Sequence, residues 1–89
     1  MTHSIHTVYN INTMKTKEKI TALINETLKE YGFNQEQLAA ALGISRQSVN
    51  YWINGKAIPK YGTIAQLRKN ENLWVRDFAV RLTMILVLE

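Results

Sequence analysis

The chain has 89 residues, of which 46% are apolar and 20% charged, with a formal net charge of +4. That suits one domain built on about 60 to 70 residues of helical core and argues against wholesale disorder. With no cysteine there is no disulfide framework and no thiolate metal site, which fits a cytoplasmic protein.

Residues 1–13, MTHSIHTVYNINT, carry no charge apart from His3 and His6 and show no helical period. Ile5, Thr7, Tyr9 and Ile11 alternate weakly, as a strand would. Met14 then opens MKTKEKI, a more natural start, so residues 1–14 are expected to be a flexible arm or an upstream-start extension. Two histidines in such an arm are a poor basis for a metal site, and none is assigned.

Thr16–Tyr31 is predicted to be an amphipathic helix, with Ile20, Leu23, Ile24, Thr27, Leu28 and Tyr31 on one side. It is a packing helix whose lysines at most graze a phosphate. Gly32 stops it. Asn34 is a good N-cap for the next helix, and Gln37 completes a capping box. Leu38, Ala39 and Leu42 face inward, and Gly43 ends the helix. Ser45 is the next N-cap.

Arg46–Ile53 then forms a helix with an inner stripe of Val49, Trp52 and Ile53. Asn54-Gly55 stops it, and Ile58-Pro59 bends the chain before a fourth helix starts near Lys60 or Tyr61. Ile64, Ala65, Leu67 and Tyr61 are expected on its core side. Asn70 or Asn72 caps a fifth helix from about Leu73, whose polar side is lost at Met84–Leu88. That stretch is the longest apolar run, far short of the roughly 18 residues of a membrane span. Its two readings are self-association and closure of the core against Ile20 and Leu28.

Charge is unevenly spread. Between Glu36 and Glu71 there is no acidic residue, while Arg46, Lys56, Lys60, Arg68 and Lys69 all fall there. The rest is close to neutral. An acid-free basic segment is the footprint of phosphate contact.

The segment Asn34–Lys60 holds the chemistry. A bihelical unit needs a small residue where its helices cross, a positive-φ residue in its turn and a branched residue at the packing point. Ala39, Gly43 and Val49 meet these needs. They would equally fit a structural hairpin, but they do not account for the outer face of the second helix. Arg46, Gln47, Asn50 and Tyr51 form a donor and acceptor set suited to base edges in the major groove. Arg46, at the helix start, could reach a phosphate instead, and Tyr51 could pack on a sugar or a thymine methyl.

The pattern Gln35…Leu38-Ala39…Leu42-Gly43-Ile44-Ser45…Val49…Trp52…Asn54-Gly55-Lys56…Pro59 resembles the helix-turn-helix family of phage repressors and Cro proteins. The resemblance spans about Lys17 to Leu82. It implies an all-α, five-helix lambda-repressor-like domain, with the helix-turn-helix as helices 2 and 3. It also implies base contact by Arg46, Gln47 and Ser48 near the start of helix 3, and by Asn50 and Tyr51 one turn on. Phosphate contact is implied at Gln35, where a side chain and helix-terminal amides can act together, and at Asn54, Gly55 and Lys56. Lys60 lies just beyond and adds a point charge.

The expected function is a sequence-specific regulator of transcription, a small repressor on a double-stranded DNA operator, needing no cofactor. Residues 15–89 would form the domain, dimerising through the C-terminal helix. One alternative is an antitoxin of the same fold with a toxin partner; another is an interaction module that has lost DNA binding. An enzyme is not indicated. Ser45 and Ser48 have no histidine partner, and no carboxylate pair shares a helical face beside a polar cleft.

Overall fold

The computed structural model describes residues 15–88. The expected arm and His3 and His6 lie outside the described residues. Five helices follow one another: α1 (Thr16–Tyr31), α2 (Gln35–Leu42), α3 (Arg46–Ile53), α4 (Tyr61–Leu67) and α5 (Leu73–Val87). No strand occurs among the described residues. The architecture is the all-α, five-helix one expected.

Three of the helices end in the same way, and the ends follow from the glycines. Gly32, Gly43 and Gly55 all have positive φ, near 70°. After α2, Gly43 at φ 71° turns the chain so that Ile44 donates its N–H to Ala39 O at 3.0 Å. Gly43 itself donates to Ala40 O at 3.2 Å. This pair of bonds satisfies carbonyls that a helix end would otherwise leave open. A residue with a Cβ would be strained there. The starts are equally specified. Asn34 Oδ1 accepts from Gln37 N at 2.8 Å, and Gln37 Oε1 accepts from Asn34 N at 2.9 Å, closing the capping box. Ser45 Oγ accepts from Ser48 N at 3.1 Å. At α5 the two asparagines divide the work. Asn72 is the N-cap residue but makes no side-chain cap bond, while Asn70 Oδ1 accepts from Asn72 N at 2.8 Å.

One core joins all five helices. α1 contributes Ile20 and Ile24, α2 Leu38, Ala39 and Leu42, and α3 Val49 and Trp52. α4 adds Ile64 and Leu67, and α5 adds Val75, Phe78, Ala79 and Leu82. Full burial of such an aliphatic side chain is worth about 1.5–3 kcal/mol, so the core outweighs any cap. α2 packs on α3, α3 on α1, α1 on α5, and α5 on α4. The α2–α3 pair is thus backed by α1.

Three expectations need correcting. Ala65 and Tyr61 are exposed, Tyr61 by 82%, so the inner side of α4 is Ile64 and Leu67 alone. The helix has only seven residues, and the preceding Pro59 is itself buried. Tyr31 closes the α1 stripe yet remains 42% exposed, because its ring lies against Trp74 (centroids 4.8 Å) and Phe33 (5.8 Å) at the edge of the core. Closure of the core holds for only part of the apolar end of α5. Ile85 and Leu86 pack on the core, whereas Met84, Val87 and Leu88 are exposed by 53%, 65% and 73%. No described helix is long and apolar enough to cross a membrane.

Candidate nucleic-acid interface

α3 is an eight-residue helix that buries Val49 and Trp52 against the rest of the fold. The helical period then leaves Arg46, Gln47, Asn50 and Tyr51 on the opposite arc. Arg46, Gln47 and Tyr51 are exposed and Asn50 is half-buried. Ser48 lies inward of this arc. It is half-buried, and its hydroxyl is 2.9 Å from Ser45 Oγ, which ties it to the cap at the helix start.

The outer side chains are interlocked. Gln47 Nε2 donates to the Tyr51 hydroxyl at 2.9 Å, one turn along the helix. Asn50 Nδ2 donates to Gln35 Oε1 at 3.3 Å, joining the second turn of α3 to the first residue of α2. A cleft of about 360 Å³ opens there, lined by Asn34, Gln35, Glu36, Arg46 and Asn50. The residue expected to hold a phosphate and one expected to read a base are therefore hydrogen-bonded partners.

The far end of α3 shows why Asn54, Gly55 and Lys56 occur together. Gly55, at φ 69°, donates its N–H to Trp52 O at 3.3 Å, and Lys56 donates to Tyr51 O at 2.9 Å. Asn54 Nδ2 adds a bond to Asn50 O at 3.0 Å. After α1 and α2 the residue following the positive-φ glycine is apolar, Phe33 or Ile44. Such a residue commonly packs back on the helix's last turn. After α3 that residue is Lys56, and its Nζ stands 5.9 Å from the centroid of the Tyr51 ring. A cation–π contact takes the place of the apolar one. The loop lysine and the exposed Tyr51 ring are thereby held in register.

Lys60 is placed differently. It is the exposed N-cap residue of α4, and it borders a cleft with Gly43 and Ile44 of the turn rather than joining Lys56.

Sequence reasoning missed Thr21. Its hydroxyl reaches from α1 to the last carbonyls of α3, 2.9 Å from Ile53 O and 3.2 Å from Trp52 O. It donates one hydrogen to this pair of acceptors, so α1 fixes the C-terminal end of α3 as Ser45 fixes its start. No local signal marks such a residue, since the partners are 31 and 32 positions apart.

Against known proteins, a helix-turn-helix family model matches residues 24–79, from the middle of α1 to the middle of α5. Neither the curated proteins nor the solved structures give a match. The matched segment contains α2, α3 and the exit loop in full, together with the core positions of α4. The chain belongs to the helix-turn-helix family of phage-repressor and Cro type, whose members are DNA-binding regulators of transcription.

Proposed function

We propose that this protein is a sequence-specific transcriptional repressor that reads the major groove of double-stranded DNA with α3. The observation that carries the reading is the outer arc of α3, where Arg46, Gln47, Asn50 and Tyr51 face away from the core. Bidentate amide and guanidinium groups are the side chains that distinguish adenine and guanine edges. Ser48 is the weakest member of the reading set, being engaged at the cap. Gln35 at one end of the helix, and Asn54, Gly55 and Lys56 at the other, are the backbone-positioning groups. Lys60 adds a more distant charge.

The working form is a homodimer through α5. Leu73, Val80, Met84 and Val87 recur at spacings of seven, four and three and are all exposed, by 73%, 43%, 53% and 65%. They form one apolar stripe along a fifteen-residue helix. A stripe of this kind pairs with its own copy about a two-fold axis. Repression then follows from occupancy of the operator, the act such a unit performs by binding.

Selection of bound duplexes from a random pool tests the whole reading. Two half-sites related by a two-fold axis, with centres about one helical turn apart, are the expected result. A single unpaired half-site would remove the dimer. A pool with no enriched sequence would remove base reading.

A further inference from the structure

The reading helix has a cleft at each end. The first, at its start, is the one bordered by Gln35 and Asn50. The second, of about 430 Å³, lies between α1 and the exit loop and is bordered by Lys17, Thr21, Asn25, Ile53, Asn54 and Gly55. Gly55 is a half-buried part of its wall. A Cβ built on Gly55 would lie 3.9 Å from both Cβ and Cδ of Lys17, so the lysine stem runs alongside the glycine. One turn further along α1, Thr21 is hydrogen-bonded to the carbonyls of Trp52 and Ile53. Lys17 and Thr21 share a helix face at a spacing of four. The bond that anchors α1 to α3 therefore also sets where Lys17 stands.

A long basic side chain laid along a surface packs its stem and leaves its charge in water. Lys17 is exposed. The acid next to it, Glu18, also borders the cleft, but its carboxylate accepts the Lys15 N–H at 2.9 Å at the start of α1. Lys56 sits on the same exit loop, and Asn54 and Asn25 bring amide donors to the same place.

We propose that Lys17 is a DNA-phosphate contact, making α1 a third piece of the interface beside α2 and α3. This rests on the DNA reading proposed above. Gln35 meets the backbone at one end of α3, and Lys17 with Lys56 meets it at the other. The bound groove is thus flanked by a positioning contact on each side. An ammonium group suits this duty because it acts as a point charge and carries no base preference.

The test is the salt dependence of binding, measured on a selected duplex and on a random one. It compares the wild type with Lys17→Gln, Lys17→Arg and Lys29→Gln. Lys17→Gln is expected to weaken both duplexes by the same factor. It should also shallow the slope of log affinity against log salt by about 0.9, the share of one phosphate. Lys17→Arg should keep the slope, and Lys29→Gln, at the far end of α1, should match the wild type. Thermal melting of Lys17→Gln at the wild-type midpoint ties the change to charge. A wild-type slope in Lys17→Gln overturns the assignment and leaves the DNA reading standing. Absence of any salt-dependent binding by the wild type overturns that reading, and Lys17 with it.

Discussion

The outer faces of α3 and α5 are both turned to solvent, and they are finished in opposite ways. On α3 the side chains are polar and bonded to one another: Gln47 to Tyr51, Asn50 to Gln35, and Lys56 over the Tyr51 ring. On α5 Leu73, Val80, Met84 and Val87 are apolar and exposed, with an Asp77–Arg81 pair (3.1 Å) at their margin. That pair is more than half exposed at both ends and contributes little to stability. Interlocking restricts the rotamers of the α3 face before any ligand arrives, which lowers the ordering cost of a directional contact. The α5 stripe is not directional. Its free energy comes from leaving water, and a second apolar surface of similar shape is enough to supply it. One face suits discrimination and the other association, as the proposed function requires of them.

The largest break in this comparison comes from beneath both faces. Trp52 is 5% exposed and joins α3 to the shared core. Trp52→Ala should cost about 3–5 kcal/mol in denaturant unfolding and remove both faces together. A folded variant that still bound DNA would show that α3 is supported elsewhere. Met84→Asp should separate the two faces. It places a charge in each copy of the stripe, so sedimentation should show a dimer weakened by about 2 kcal/mol or more, with unfolding of the monomer unchanged. An unaltered association constant would exclude the stripe as the contact. Gln47→Ala acts on the other face alone. It should cost about 1–3 kcal/mol on the selected site and little on random DNA, and equal losses on both would end its role as a reader. Thr21→Val is the smallest change, about 1 kcal/mol in thermal unfolding, with Thr21→Ser restoring it. If Thr21→Val melts as the wild type does, the clasp between α1 and α3 contributes nothing.

How much of this could be seen in the residues alone depended on the range of each interaction. Helix starts and stops are local. Asn34 with Gln37, Ser45 before Arg46, and glycines after Tyr31 and Leu42 each specify a boundary within four residues, and the structure places the boundaries there. The inner stripe of α3 followed from periodicity for the same reason. Periodicity failed on α4, where seven residues offer too few turns to separate Ile64 and Leu67 from Ala65 and Tyr61. The lateral organisation of the interface was out of reach. The Gln35–Asn50 bond spans 15 positions and the Thr21 clasp more than 30. Both depend on how helices cross, which single positions do not encode. The Lys56–Tyr51 contact is local, five positions apart, but recognising it required the geometry of the glycine turn between them.

The shortness of α3 has a consequence for how the protein could be taken apart. An eight-residue helix is below the length at which helices persist in water, where about 12–15 residues are marginal even for favourable sequences. α2 is no longer. Both exist because Ile20 and Ile24 of α1 and Phe78 and Leu82 of α5 close the core around them. The order of the outer α3 face is therefore produced by all five helices at once. A peptide covering residues 34–60 would carry every residue of the proposed reading set and hold none of them in place, whereas a transplant that brought α1 and α5 along would carry the arrangement with it.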